Sequence, residues 1–163
     1  MSPKSSAPEP KILLSGLMFG ESPRWREGRF WVSDWAAHEI IAIDPDGRHG
    51  VVVREPSIPL CMDFLPDGRM LVMSGRRVLR REGGGALVVH ADLNHLSHLG
   101  WNEIVVDGRG NAYVNNVGFD MMAGAAFAPG TIALVLPDGS ARQVAGGVAF
   151  PNGMAVTPGV GWP

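Results

Sequence analysis

A single acid, Glu21, stands near the head of a β-type run: Gly20-Glu21-Ser22-Pro23-Arg24-Trp25, then Gly28 to Asp34. Similar runs recur. One extends from Met62 through Pro66-Asp67-Gly68 to Val72, another from Asn102 through Asp107-Gly108 to Val114, and a further one opens at Asn152-Gly153-Met154. Glu21, Asn102 and Asn152 hold equivalent places, each at the start of its run. A unit of roughly 40–50 residues, read as strands about a Gly turn, marks a β-propeller blade. Such a fold gathers polar residues that are distant in sequence at one axial site, and these three residues are candidates for it.

Other groups with chemical potential read differently. His90, Asp92, His95 and His98 lack the spacing of a structural zinc site and are expected on a solvent-facing loop. Arg76, Arg77, Arg80 and Arg81 lie close together, but along a strand they alternate between faces, giving either a solvated surface or an anion contact. Trp25, Trp31 and Trp35 alternate in strands and are expected between packed sheets. Trp101, beside Asn102, is expected on a loop at a pocket mouth. Asn115 and Asn116 read as turn formers.

The elements that must position these residues are strands. Each inner run is followed by an outer pair. Glu39 to Ile43 leads through Asp44-Pro45-Asp46-Gly47 to Val51-Val52-Val53. Arg77 to Arg81 leads through Gly83-Gly84-Gly85 to Val89, and Thr131 to Leu136 leads through Pro137-Asp138-Gly139 to Ala145. Asp-Gly and Gly-Gly between alternating apolar runs are hairpin signals. No helical periodicity of useful length appears. Lys11–Phe19 reads as an initial strand and its turn, and Asp120–Pro129 as an ordered loop. The expectation is an all-β chain of the six-bladed β-propeller type, incomplete, with about three blades plus the first strand of a fourth. Residues 1–10 read as a disordered leader, 11–158 as the partial propeller and 159–163 as an atypical truncated tail.

The 163 residues are 45% hydrophobic with a formal net charge of -2, which fits a globular protein and gives no electrostatic footprint for nucleic acid. The 22 Gly and 13 Pro are spread through the chain and punctuate strands. The run Ile12–Phe19 is too short for a membrane span. Cys61 is the only cysteine, so no intrachain disulfide forms, and a buried, cytoplasmic thiol is expected. Three blades with open edges would expose apolar faces and promote homo-association.

The order and spacing of several motifs resemble the SMP-30/gluconolactonase/regucalcin-like family of six-bladed propellers. They are Gly-Glu-Ser-Pro at 20–23, Asp92-Leu93 leading to Asn102, Asp107-x-x-Gly-Asn111, Asn116-x-Gly-Phe-Asp120, and Pro151-Asn152-Gly153-Met154-Ala155. The resemblance runs from about Leu14 to Pro158. It implies one divalent metal on the axis, Ca²⁺ or Mg²⁺ first and Zn²⁺ or Mn²⁺ as alternatives, held by Glu21, Asn102 and Asn152. It implies a small-molecule lactone substrate, with Asn102, Trp101 and Asp120 on the substrate side. Asp120 reads equally as a turn residue.

The family's catalytic Asp comes from a later blade, beyond Asn152, so the catalytic base is expected to be missing here. The family's Arg two residues before Asn102 is Gly100, and the Asp after it is Glu103. The tail Gly159–Pro163 replaces an expected Asp-Gly and strand, and reads as a premature stop or frame change. The implied function is a metal-dependent lactone hydrolase, present as an N-terminal fragment with weak or absent turnover. The alternatives are a non-enzymatic metal-binding or protein-interaction propeller, or an inactive truncated product.

Overall fold

The computed structural model describes residues 9–157. Most of the predicted leader and all of residues 159–163 lie outside the described residues. Twelve strands form three four-stranded antiparallel sheets, and no helix occurs among the described residues. Sheet one contains β1 (Gly20–Arg26), β2 (Arg29–Asp34), β3 (Glu39–Ile43) and β4 (His49–Arg54). Sheet two contains β5 (Leu60–Phe64), β6 (Met70–Ser74), β7 (Arg77–Arg81) and β8 (Leu87–Asp92). Sheet three contains β9 (Glu103–Val106), β10 (Ala112–Asn116), β11 (Gly130–Val135) and β12 (Ala141–Val148). Within each sheet the strand order follows the chain.

Strand alternation decides which residues meet. In sheet two, Leu60, Met62, Met70 and Val72 pack with Ile40 and Val53 of sheet one. The alternate residues Cys61, Leu71 and Met73 pack with Ile104, Val114 and Val135 of sheet three. The inner strands β5 and β6 are therefore buried on both faces and read as nearly continuous apolar runs, whereas β7 and β8 turn Arg77, Val88 and Val89 outward. The far face of sheet one, Val32, Ile41 and Ile43, is covered by Leu13, Leu14 and Leu17. Trp31 and Trp35 pack between sheets as expected, whereas Trp25 is 64% exposed. Burying one large aliphatic side chain contributes about 1.5–3 kcal/mol, so these two interfaces hold the sheets together.

The two ends of the sheets differ. At one end, tight hairpins repeat a common pattern. Gly47, Gly68, Gly85, Gly110 and Gly139 each donate an N–H to the carbonyl three residues earlier. Each has φ between 84° and 91°, which a side chain would strain. The β1–β2 turn at the same end uses Glu27 and Gly28, both with positive φ, as a two-residue hairpin demands. The opposite end carries the longer connections, including 93–102 and 117–129, and the candidate functional residues.

Two expectations need correction. Residues 151–157 contain no strand, because no neighbouring strand pairs with them. They lie instead along sheet three, where Met154, Ala155, Val156 and Thr157 border a cleft of about 490 Å³ with Val105, Tyr113 and Ile132. Residues 11–19 likewise form no strand; the first strand begins at Gly20. They pack through leucines and are tethered by Asp34, whose carboxylate accepts N–H bonds from Met18 at 2.8 Å and Phe19 at 3.0 Å.

Burial raises the pKa of Asp34, but the N–H groups of Met18, Phe19, Ala37 and Ala36 outweigh it and leave the carboxyl below its ordinary 3.8. The carboxylate therefore stabilises the fold fully above pH 3.8, and this contribution is lost as pH falls below that value. Asp34→Ala is expected to cost about 1–3 kcal/mol through the orphaned N–H groups. It should also speed amide exchange at Met18 and Phe19 while leaving sheet two protected. Unchanged exchange at those two amides would refute the tether.

Candidate functional site at the open end of the sheets

The inner strands β1, β5 and β9 come together, and their starts lie at the end opposite the tight hairpins. A β-bulge shapes the first of them. Glu21 pairs with Ser33 and Arg24 with Trp31, so β1 carries one extra residue between these pairs. The bulge places Glu21 and Arg24 on the same face, although a spacing of three would put them on opposite faces of a regular strand. Ser22 absorbs the distortion with φ 53° and is buried. Its hydroxyl accepts the Met62 N–H at 3.3 Å and donates to Glu103 Oε1 at 2.9 Å.

Arg24 extends this contact into a network. Its Nη2 lies 3.0 Å from Glu103 Oε1 and also donates to the Ile104 carbonyl, and its Nε lies 3.6 Å from Asp63 Oδ1. Asp63 Oδ2 in turn accepts the Val106 N–H at 2.7 Å. Glu103 is 5% exposed and its Oε1 also accepts its neighbour's N–H, from Ile104 at 2.8 Å. One salt-bridged cluster thus joins all three inner strands.

Immediately beyond it lies an amide cluster. Asn102 Nδ2 donates to Asn152 Oδ1 at 3.2 Å, and Asn115 Nδ2 donates to the Asn152 carbonyl at 2.5 Å. The Asn102 N–H bonds to the Asn115 carbonyl at 2.6 Å. Asn115 Oδ1 is buried and has no hydrogen-bond partner among the described residues. Cys61 Sγ donates to the Asn102 carbonyl at 2.6 Å. Burial pushes the Cys61 thiol well above its ordinary pKa of 9.0, with Glu103 and then Glu21 adding to the rise against the opposing effect of Arg24. Glu21 is half-buried, and its carboxylate makes no hydrogen bond or ion pair among the described residues.

The structure therefore brings Asn102 and Asn152 into contact across 50 residues. Glu21 sits within electrostatic range of the thiol bonded to Asn102, but no hydrogen bond joins it to either asparagine. The donors at this end are oxygens, with one carboxylate and several amides. That set suits a hard divalent cation, and the orphaned Asn115 Oδ1 adds an acceptor in need of a partner. No three His, Cys, Asp or Glu side chains cluster among the described residues.

Several readings change. Trp101 is fully buried between sheets two and three, so it does not line a pocket mouth. Its backbone N–H bonds to the Gly75 carbonyl at 2.9 Å, which turns the indole into the core. Asp120 is exposed, and its Oδ1 accepts the Ala123 N–H at 2.9 Å, the contact of a turn residue. Asn115 and Asn116 are buried at the end of β10; Asn116 still starts a turn, its Oδ1 accepting the Gly118 N–H at 2.8 Å, whereas Asn115 does not. Glu103, Ser22, Arg24 and Asn115 were the residues that sequence reasoning missed. The available signal was a polar pair, Asn115-Asn116, closing an otherwise apolar strand.

Removing Glu103 would leave Arg24 without its closest carboxylate in a site it cannot readily leave. Glu103→Ala is expected to lower the unfolding free energy by about 3 kcal/mol in urea titration. Pairing it with Arg24→Leu should recover part of that loss, and strict additivity of the two changes would refute the coupling. The Cys61 thiol, held protonated by burial, should resist thiol-specific reagents at pH 8 in the folded protein and react once urea unfolds it.

Comparison with known proteins supplies the context. The model of the SMP-30/gluconolactonase/LRE-like region matches residues 19–160. No curated protein matches the chain. Among solved structures, the calcium-binding protein regucalcin from Agrobacterium tumefaciens strain C58 is 20% identical, with a TM-score of 0.68 over 83% of this chain and 46% of its own. A gluconolactonase from Xanthomonas campestris is 19% identical, with a TM-score of 0.63 over 82% of this chain and 49% of its own. A luciferin-regenerating enzyme is 14% identical, with a TM-score of 0.70 over 84% of this chain and 48% of its own. The chain spans about half the length of these structures. The match of the family model over most of the sequence, joined to three four-stranded sheets with the fold of these proteins, leads to one conclusion: the chain belongs to the SMP-30/gluconolactonase/LRE-like family.

Proposed function

We propose that the open end of the sheets is the cation- and lactone-binding part of a gluconolactonase-type hydrolase, built on one half of a six-bladed ring. The observation that carries this reading is the contact of Asn102 with Asn152, each at the start of its own repeat, in the amide cluster beside Glu21. Glu21, Asn102 and Asn152 would hold the cation, with Asn115 Oδ1 as a further oxygen donor. Ca²⁺ or Mg²⁺ fits this set best, with Mn²⁺ and Zn²⁺ as weaker candidates. When bound, the cation polarises the lactone carbonyl.

The chain's own residues set the rest. In the hydrolysis, the water oxygen bonds to the carbonyl carbon, the ring C–O bond breaks, and the product is a hydroxy acid. The water needs a base. Glu103 is committed to Ser22 and Arg24, Asp34 to Met18 and Phe19, and Asp120 to Ala123. Glu21 is left to serve both as ligand and as base, which limits turnover. The open cleft along sheet three also favours association of copies through Val105, Tyr113 and Ile132. A buried lone thiol is in keeping with a reducing compartment such as the cytoplasm.

The shortage of an uncommitted carboxylate also favours a second reading, a cation-binding scaffold without turnover. One experiment separates the two. A monodisperse sample is titrated with Ca²⁺, Mg²⁺, Mn²⁺ and Zn²⁺ by calorimetry and then assayed on glucono-δ-lactone. Cation binding that falls about tenfold or more in Glu21→Gln, with slow cation-dependent hydrolysis, is expected. Cation binding without any hydrolysis would select the scaffold. Equal cation affinity in Glu21→Gln would overturn both.

A further inference from the structure

A second cavity at the same end takes no part in the cation reading. It measures about 560 Å³ and lies beside the segment that leads to Asn102. Its lining is polar and includes Glu55, Ser57, Ser74, Arg76, Arg77 and Gly100. Its charge comes from two arginines. Arg24, Arg26, Arg29, Arg48, Arg54, Arg69 and Arg80 each meet a carboxylate within 4 Å. Arg76 and Arg77, like Arg81, Arg109 and Arg142, meet none among the described residues. Arg77 still has Asp92 as its cross-strand neighbour, and its charge helps to depress the Asp92 carboxyl, behind the N–H and amide bonds from Asn94. Arg76 has no such neighbour.

The backbone that carries Arg76 is fixed in place. Gly75 and Arg76 form the two-residue turn between Ser74 and Arg77, with Gly75 at φ 58° in its first position. The Gly75 carbonyl accepts the Trp101 N–H at 2.9 Å, and its N–H bonds to the Pro59 carbonyl at 3.2 Å. The turn is thereby fixed on both sides. Gly100 packs so closely that a Cβ there would lie 2.7 Å from Pro59 Cδ, so no side chain from that position fills the cavity. Glu55 is the opposing charge. Its Oε1 already accepts the Ser74 hydroxyl at 3.0 Å and the Ser57 N–H at 3.3 Å. The lining thus carries two guanidinium groups and one committed carboxylate; Asp92 balances Arg77 from the neighbouring strand, and Arg76 is the charge left uncompensated.

We propose that this cavity binds the terminal oxyanion, carboxylate or phosphate, of a polyhydroxylated ligand, with Arg76 as its principal contact. An arginine fork matches either oxyanion, and hydroxyl and amide groups beside it suit sugar oxygens. Gly100 precedes Asn102 by two residues, about 7 Å of extended chain. The cavity wall at Gly100 is thus close to Asn102 in the chain, and a six-carbon sugar acid with its charged end at Arg76 would direct its other end along that wall. The choice of a sugar acid rests on the lactone-hydrolase reading; the oxyanion site itself does not.

The test uses the cation-free protein and three probes: 6-phosphogluconate, gluconate and neutral sorbitol, titrated by calorimetry at low salt. The sugar acids should bind, the phosphorylated one more tightly, and sorbitol should not. Arg76→Ala should weaken 6-phosphogluconate binding about tenfold or more, and Arg76→Lys should restore part of it. Glu55→Gln, which keeps the acceptor oxygen and removes the charge, should tighten it. Sorbitol binding as well as the acids, or wild-type affinity in Arg76→Ala, would overturn the proposal. Loss of sugar-acid binding in Glu21→Gln but not in Arg76→Ala would place the ligand at the asparagine cluster, overturning this site and sparing the hydrolase reading. Binding that depends on Arg76 in a protein that takes up no cation would do the reverse.

Discussion

The Arg24–Glu103 ion pair is the contact on which the open end of the molecule depends. It is the only place where side chains of β1, β5 and β9 are joined in one polar cluster among the described residues. Apolar packing presses sheet two against its neighbours, but such packing is non-directional and tolerates sliding. The ion pair fixes direction. It ties Ser22 to Glu103, and each of these directly adjoins a proposed ligand, Glu21 and Asn102 respectively. The proposed ligands therefore inherit their positions from buried neighbours rather than from each other. A buried pair of this kind often adds little net stability, and its contribution here is geometric.

The bulge in β1 serves the same end. Without the extra residue, Arg24 would point away from Glu21, and the cluster could not form below the acid. The distortion is concentrated at Ser22, in a left-handed conformation that costs a non-glycine residue on the order of 1–3 kcal/mol. Its hydroxyl recovers part of that through two hydrogen bonds in a buried setting. The tight Gly turns at the other end carry no such strain, since glycine adopts their backbone freely. Glu27, in the β1–β2 turn at the other end, also holds a positive φ, so what distinguishes the end where chemistry is proposed is its buried ion-pair cluster.

Much of the fold was legible in the sequence, and the reasons are local. Pro-Asp-Gly and Gly-Gly-Gly between alternating apolar runs specify hairpins with little help from the rest of the chain. The face each strand residue takes follows from period-two alternation, which is why Leu60 and Cys61 enter different cores. The candidate site was legible only in part. Trp101 looked like a loop residue because its burial depends on a backbone bond to Gly75, 26 positions away in sequence. Asn115 looked like a turn former because asparagine usually is one, and only the pairing of β10 between β9 and β11 buries it. Ser22 gave no hint of positive φ, since that conformation is imposed by its neighbours across sheets. The strand predicted after Asn152 failed for a related reason: an apolar pattern makes a strand only where a partner edge is present.

Each sheet is an uninterrupted meander of four consecutive strands. Most strand contacts therefore close short loops, and contact order within a sheet is low. The cluster at the inner strands is different, because Ser22 meets Glu103 across 81 residues. Closing such a loop carries a larger entropic cost and rewards the chain only after the sheets exist. Loop-closure entropy alone therefore favours sheets that close first and a polar cluster at the inner strands that closes after them. The alignment of the proposed ligands is then a late product of folding, and a sheet-complete intermediate would show native backbone pairing before Glu21, Asn102 and Asn152 come into register.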